Sequence, residues 1–328
     1  MKERLRQLFD AVLRDLDVGA ALQRAVHATF ERDDRRPKLV LALGKAARPM
    51  AEALLRALPG CPMRGLVVPP APDEAPLGPF ERIAGGHPLP DAGSLRAGLR
   101  ALELARSVRA DEDVVFLISG GGSSLCEAPI DPRVGVDEVR TLYRALVGCG
   151  APIVAINIVR RHLSAVKGGK LAHAAVAAHR RVTFSISDVP HGAPAGTLAS
   201  GPTEPELTTP ADCRTVLTEH GLWPFVPTVL AERLRTADLP PPVTGADMDR
   251  SLFSRVQDPS EATWSCRQRL RACGWYAVVD DTTDDWPCDR AAEHLLRRLE
   301  HLRRRHAGRT VALVAGGELS VPLPPDPG

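Results

Sequence analysis

The stretch "VVFLISGGGSSLCEAP" (residues 114–129) places three consecutive glycines and two serines directly after an apolar, strand-like run. Glycine weakens strands and gains nothing inside a helix, so three together indicate a sharp bend or a close approach to the backbone. A loop between the carboxyl end of a buried strand and the next helix is where α/β proteins bind anions. The stretch alone leaves two interpretations open: a phosphate cradle, or a tight turn without a ligand.

Strand-like and helix-like runs alternate on both sides of this stretch. Strands are predicted at "KLVLAL" (38–43), "MRGLVVP", "DVVFLI" and "RVTFSISDV", with amphipathic helical runs between them. This order predicts an α/β fold with a doubly wound, mostly parallel sheet and helices on both faces. Ser94 is the predicted N-cap of the helix that follows "GGHPLPDAG".

A proline-rich linker, "TADLPPPVTGADMD" (236–249), predicts two domains, at 1–237 and 238–328. The second, smaller domain is also predicted to be α/β. Its expected elements are a helix over 260–273, a strand over 274–280, a helix over 288–306 and a strand over 310–321.

Composition excludes several classes of protein. The chain of 328 residues has 42 basic and 40 acidic residues, a net charge of +2, which argues against general nucleic-acid or membrane-surface binding. No apolar run approaches the roughly 20 residues of a membrane span, and the amino terminus is not a secretory signal. The seven cysteines are scattered without a CxxC pair, which indicates reduced thiols in the cytoplasm and argues against a zinc site.

Unusual residues follow four of the predicted strands, at the edge where doubly wound sheets bind ligands. Lys45 follows the first strand and opens a helix, where an ammonium group favours phosphate oxygens. Lysine is also rare here, with five residues in the whole chain. The loop of Gly120, Gly121, Gly122, Ser123 and Ser124 matches neither the Walker spacing nor GxGxxG, but its amides and hydroxyls suit a polyphosphate.

Carboxylates follow two other strands. Asp188 suits a magnesium ligand or a general base toward a substrate hydroxyl, with a turn cap as the alternative. His191, three residues on, is more typical of a structural histidine. Glu318, in "AGGELS", is a candidate nucleotide-binding residue near a second glycine turn. Asp91 in "GGHPLPDAG" either caps the next helix or has a role in the site.

In "RRHLSAVKGGK", Arg160, Ser164 and Lys167 have the i, i+4, i+7 spacing of one helical face. Arg160 and Lys167 are therefore candidates to clamp a carboxylate or a phosphate. The alternative is a solvated basic face.

Taken together, "LGKAA", "GHPLPDAGSLRAG", "SGGGSSL", "INIVRRHLSAVKGGKLA", "SDVPHGAPAGTLASGPTEP" and "AGGELSV" resemble the glycerate 2-kinase family, whose C-terminal portion is called the MOFRL domain. The blocks occur in the same order and cover most of residues 1–325. The resemblance implies ATP-dependent phosphorylation of D-glycerate at the 2-hydroxyl, with Mg²⁺, in a protein of two α/β domains with the active site in the cleft. By motif, Lys45 and Asp188 take catalytic positions, and the triple glycine takes the Gly-rich loop.

This sequence differs from the family's pattern in two places. Family members usually have acidic residues after the Asp188 motif, where this chain has "PHGAPAG", which predicts weaker metal binding. They also continue beyond "GGE" into a Gly-Arg-Asn-rich block, whereas this sequence ends at Gly328. We therefore expect a partial second domain without the arginine that acts on the transferred phosphate, and a large loss of rate.

Two alternatives remain at this point: a hydroxypyruvate reductase, and a catalytically impaired nucleotide-binding homologue. The first is poorly supported because no GxGxxG follows the first strand. We expect a small-molecule substrate, no nucleic-acid or membrane partner, and a homodimer.

Overall fold

The computed structural model describes residues 2–72, 75–189 and 196–321. The described chain forms two compact units. The larger unit comprises residues within 18–187 and 196–256, and the smaller unit comprises 2–17, 188–189 and 257–321. Each unit thus consists of more than one segment of the sequence. The predicted boundary at 237/238 stays a prediction.

The larger unit contains a six-stranded sheet in the order β3-β2-β1-β4-β5-β6. Its strands are β1 (Lys38–Leu43), β2 (Met63–Val68), β3 (Phe80–Arg82), β4 (Asp113–Ser119), β5 (Arg180–Ile186) and β6 (Ser251–Gln257). Four neighbouring pairs, from β3 to β5, are parallel. The mostly parallel sheet predicted from the sequence is confirmed, although β6 was not predicted.

Helices of the larger unit pack on both faces of this sheet or form a separate core beside it. They are α2 (Val18–Thr29), α3 (Ala47–Ala57), α4 (Ala92–Arg106), α5 (Gly122–Leu125), α6 (Val136–Gly148), α7 (Ile153–Leu163), α8 (Lys170–Ala174), α9 (Pro210–Glu219) and α10 (Thr228–Thr236). Short 3-10 turns occur at Leu198–Ser200, Trp223–Phe225 and Gly245–Met248.

The central strands are buried on both sides, which explains their continuous apolar sequences. In β4, Phe116 and Ile118 belong to the core that includes residues of α4 and α8. The alternate residues Val115 and Leu117 belong to the core that includes residues of α2 and α3. Because successive side chains on a strand point to opposite faces, seven buried residues in a row require two covering layers.

Four strands of the sheet, β2, β1, β4 and β5, end at about the same level. Leu43 at the end of β1 is paired with Val68 of β2 and with Ile118 of β4. Ile118 is in turn paired with Ser185 of β5. The segments that follow these strands therefore leave the sheet along a common edge, where α/β proteins bind ligands.

The smaller unit is also α/β, as predicted. It contains α1 (Lys2–Asp15), α11 (Pro259–Ala272), β7 (Tyr276–Val279), α12 (Cys288–Arg305) and β8 (Val311–Val314), with β7 and β8 parallel. Helix α1 contacts α11 through Asp15, which accepts hydrogen bonds from Arg269 and from Ser265. These bonds lower the pKa of Asp15 to about 2. Over the described residues, no helix is long and apolar enough to cross a membrane.

Candidate functional site

Lys45 lies two residues beyond the end of β1, and its side chain is exposed. Its backbone N–H donates to the carbonyl of Gly120 at 2.8 Å, which ties the segment after β1 to the segment after β4. Gly44 has φ +121°, and a Cβ there would lie 2.3 Å from Ser119 Oγ. Glycine at position 44 therefore lets the two segments approach each other closely.

The Gly-rich loop turns at Gly121, whose φ of +82° lies in the left-handed region. A Cβ on Gly121 would lie 3.0 Å from His87 Cδ2 and 3.2 Å from Lys45 Cγ. Within the described part of the chain, the backbone N–H groups of Gly121, Gly122 and Ser123 meet no acceptor. The loop thus presents free donors beside an exposed ammonium group, an arrangement that suits phosphate oxygens.

The two serines of the loop differ in their contacts. Ser124 Oγ donates to the carbonyl of Gly121 at 3.3 Å, so this hydroxyl supports the turn itself. Ser123 Oγ contacts Ser200 Oγ at 2.8 Å, and Ser200 Oγ donates to Asn157 Oδ1 at 2.9 Å. Ser200 and Asn157 could not be selected from the sequence, because their hydrogen bonds to the loop join segments that are distant along the chain.

His87 also lies beside the Gly-rich loop, although the sequence alone did not single it out. It lies in the segment between β3 and α4 and is exposed, with its ring against Gly121. Asp91 in the same segment caps α4, since its Oδ1 accepts the Ser94 N–H at 2.8 Å. The predicted N-cap at Ser94 is wrong: Ser94 is the third helical residue and completes the capping box with Asp91.

Asp188 lies two residues beyond the end of β5, and its side chain is exposed. His191 lies outside the described residues. The described residues contain no cluster of three or more histidine, cysteine or acidic side chains that could hold a metal ion. A preformed protein cage for a cation is therefore not part of the described structure.

The predicted basic helical face is wrong. Helix α7 ends at Leu163, and Ser164 has extended backbone angles, so Lys167 lies beyond the helix. The Lys167 side chain is 1% exposed and forms a buried salt bridge with Glu127. Burial lowers the pKa of Lys167, and the Glu127 carboxylate opposes this shift. The predicted role of Lys167 in substrate binding stays a prediction.

Arg160, on the last turns of α7, packs its guanidinium 4.7 Å from the centroid of the Tyr143 ring. The Tyr143 hydroxyl in turn contacts Glu127, which joins Arg160 to the buried salt bridge. Arg160 Nε is buried and has no hydrogen-bond partner among the described residues. The two basic groups therefore differ: Arg160 Nε has no protein acceptor in the described structure, whereas the Lys167 ammonium is paired with a protein carboxylate.

Glu318 belongs to the smaller unit and is exposed. Its backbone N–H donates to Asp284 Oδ1 at 3.0 Å, which fixes the turn that contains Gly317. A Cβ on Gly317 would lie 2.3 Å from the same carboxylate oxygen. The predicted role of Glu318 in nucleotide binding stays a prediction.

His162 lies in α7 beside the buried ion pair of Arg161 and Glu206, and contacts Thr208 Oγ1 at 3.1 Å. Burial lowers the pKa of His162 from 6.5 to about 4. Between these pH values the unfolded chain binds a proton that the folded chain does not, so the free energy of unfolding decreases as the pH falls. We expect this group to account for a loss of about 3 kcal/mol near pH 4.

Urea denaturation of the larger unit at pH 7 and at pH 4.5 measures this effect. His162→Gln should lose less unfolding free energy between the two pH values than the wild type. His173→Gln, at an exposed position, should lose as much as the wild type. An equally steep loss in the His162→Gln chain would contradict the assignment.

Comparison with known proteins places the chain in a family. The family model described as "Domain of unknown function (DUF4147)" matches residues 4–235. The chain belongs to this family. Its similarity to a glycerate kinase from Thermotoga maritima extends to the fold: that crystal structure has a TM-score of 0.79 at 29% identity, and the match covers 99% of this chain and 76% of that chain.

Named relatives support the same conclusion. A D-glycerate 2-kinase of Thermotoga maritima is 36% identical over 221 residues, which cover 67% of this chain and 52% of that protein. A glycerate kinase of Bos taurus is 33% identical over 309 residues, which cover 86% and 58%. A putative hydroxypyruvate reductase of Agrobacterium vitis is 39% identical over 218 residues, which cover 66% and 48%.

The glycerate 2-kinase resemblance inferred from the motifs is therefore confirmed at the level of the family. The chain spans about half the length of these curated relatives.

Proposed function

We propose that this chain carries the site of an ATP-dependent kinase that phosphorylates the 2-hydroxyl of D-glycerate. The observation that carries the proposal is the convergence of Lys45 with the free amides of Gly121, Gly122 and Ser123 at the ligand-binding edge of the sheet. The relatives named as glycerate kinases supply the substrate class. We also propose that the reaction takes place in the cytoplasm and that the protein acts as a homodimer.

Phosphoryl transfer needs alignment and charge neutralisation more than covalent help from the protein. The free amides of the loop would hold phosphate oxygens, and Lys45 would offset their negative charge. Asp188 would orient the acceptor hydroxyl and accept its proton as the bond between the hydroxyl oxygen and the γ-phosphorus forms. The bond between that phosphorus and the β–γ bridging oxygen breaks, and ADP leaves.

The described residues fit Mg²⁺ only as an ion that is shared between Asp188 and the phosphates of the nucleotide. Mg²⁺ in kinases is usually held by one or two carboxylates together with substrate phosphates and water. Asp188 supplies one exposed carboxylate, and the described residues offer no denser cluster. We therefore propose that Asp188, together with the phosphates of the nucleotide, would hold Mg²⁺, which would supply neutralisation of the phosphate charge.

Two further roles belong to the proposal. Arg160, with its unpartnered Nε, would bind the carboxylate of the acceptor, while Lys167 would act behind it through Glu127. Glu318 would contribute to nucleotide binding.

The direct test follows ADP release from ATP, Mg²⁺ and D-glycerate, with phosphorus NMR of the product. We expect ADP and 2-phosphoglycerate in equal amounts, and no ADP when glycerate is omitted. The name of the Agrobacterium vitis relative makes NADH oxidation with hydroxypyruvate the informative second assay. NADH oxidation without phosphoryl transfer would replace the kinase proposal by a reductase.

A further inference from the structure

A cavity opens in the larger unit at strands β4, β5 and β6. It has a volume of about 480 Å³, within the range of small-molecule sites. Ile118 of β4 and Ser185 of β5 line it, and these two residues are paired near the carboxyl ends of their strands. Because Gly120 follows Ile118 by two residues, the cavity reaches the same edge of the sheet as the candidate phosphate site.

Three hydroxyl groups line this cavity without a side-chain hydrogen bond in the described structure. They belong to Thr183 and Ser185, which share one face of β5, and to Thr203. Thr183 is 6% exposed and Thr203 is 2% exposed. None of these three oxygens is among the buried atoms that lack a partner in the described structure, so the hydroxyls are accessible from the cavity and can bond a polar ligand.

Strand β6 adds a ring and a cation to the same cavity. Phe253 and Arg255 are two residues apart, so their side chains lie on the same face of the strand. Phe253 is 46% exposed, and Arg255 forms no ion pair or hydrogen bond through its side chain among the described residues. An accessible aromatic ring next to a guanidinium group is suited to stacking against a planar base.

We propose that this cavity binds the nucleoside of the phosphoryl donor, with the base on Phe253 and the ribose hydroxyls on Thr183, Ser185 and Thr203. This assignment rests on the proposed function for the identity of the nucleotide. A three-carbon acid would leave most of the cavity and the ring unused, whereas a nucleoside matches the volume, the ring and the hydroxyls together.

Calorimetric titration of the full chain with ADP and with pyrophosphate tests the proposal. Pyrophosphate is the probe for the phosphate site alone. Phe253→Ala should weaken ADP binding about tenfold or more and leave pyrophosphate binding unchanged, because stacking on an aromatic side chain contributes roughly 1–3 kcal/mol per base. Thr183→Val, which keeps the shape of the side chain, should weaken ADP binding about two- to tenfold.

Leu252→Ala is the matched control, since Leu252 is 49% exposed on the opposite face of β6. It should bind both probes like the wild type. Unchanged ADP affinity in the Phe253→Ala chain, or equal losses for ADP and pyrophosphate, would overturn the assignment.

The assay of phosphoryl transfer separates this inference from the proposed function. If the wild type binds ADP with the expected sensitivity to Phe253 but transfers no phosphate to glycerate, the nucleoside site stands and the kinase proposal fails. If the wild type phosphorylates glycerate and Phe253→Ala leaves the KM for ATP unchanged, the kinase proposal stands and the nucleoside site fails.

Discussion

Lys45→Ala should lower kcat/KM for ATP in glycerate phosphorylation by about 10²- to 10³-fold, the cost of removing one preorganised group that stabilises developing charge. The Lys45 side chain lies against Gly121, beside three backbone donors that meet no acceptor in the described structure. Removal of the ammonium group leaves these amides as the remaining donors to the phosphates. Affinity for ADP should also fall, by roughly 10- to 100-fold, as expected for a lost hydrogen bond to a charged group.

Steady-state assays of ADP release and calorimetric titration with ADP measure the two effects. Arg56→Ala is the control, because Arg56 is an exposed cation in the last turn of α3, the helix that follows Lys45. It should retain both activity and affinity. Equal rates for Lys45→Ala and Arg56→Ala would show that the ammonium group does not act on the phosphates.

Glu127→Gln should lower the free energy of unfolding of the larger unit by about 3–5 kcal/mol. Glu127 and Lys167 are 3% and 1% exposed, and their salt bridge is the main compensation for burying both charges. Without the carboxylate, the folded chain either keeps an unpaired buried ammonium group or must release its proton. Urea denaturation followed by circular dichroism measures the loss.

Two controls distinguish a buried-charge effect from a general loss of packing. The double change Glu127→Leu with Lys167→Met should recover most of the lost stability, because it removes both charges. Glu103→Gln, which breaks the exposed pair with Arg100 on α4 of the same unit, should change stability by less than about 1 kcal/mol. A Glu127→Gln chain as stable as the wild type would contradict the account of this pair.

The central sheet could be predicted because its strands are buried on both faces. The apolar runs of β1 and β4 leave little ambiguity, and the alternation of strands and helices determines their parallel pairing. Strand β6 could not be predicted in the same way. Its sequence, "SLFSRVQ", lies at the edge of the sheet with exposed side chains, and it follows a proline-rich linker that suggested a domain boundary.

The candidate site was predictable where function depends on the backbone. Lys45 and the three glycines could be selected because strand ends and glycine runs have local signatures. The burial of Lys167 beyond the end of α7 could not be predicted from the sequence. The chain leaves the helical path before Gly168 and Gly169, which adopt left-handed φ values of +58° and +77°. The partner of Lys167, Glu127, is 40 residues away in the sequence. Ser200, which contacts Ser123, was missed for the same reason.

A crystal structure of the full chain with ADP and Mg²⁺ tests the central claim most directly. The account predicts that an oxygen of the β-phosphate lies within hydrogen-bond distance of Lys45 Nζ and of the backbone amides of Gly122 and Ser123. A nucleotide bound with its phosphates away from these groups, while Lys45 and the Gly-rich loop contact only solvent, would contradict it.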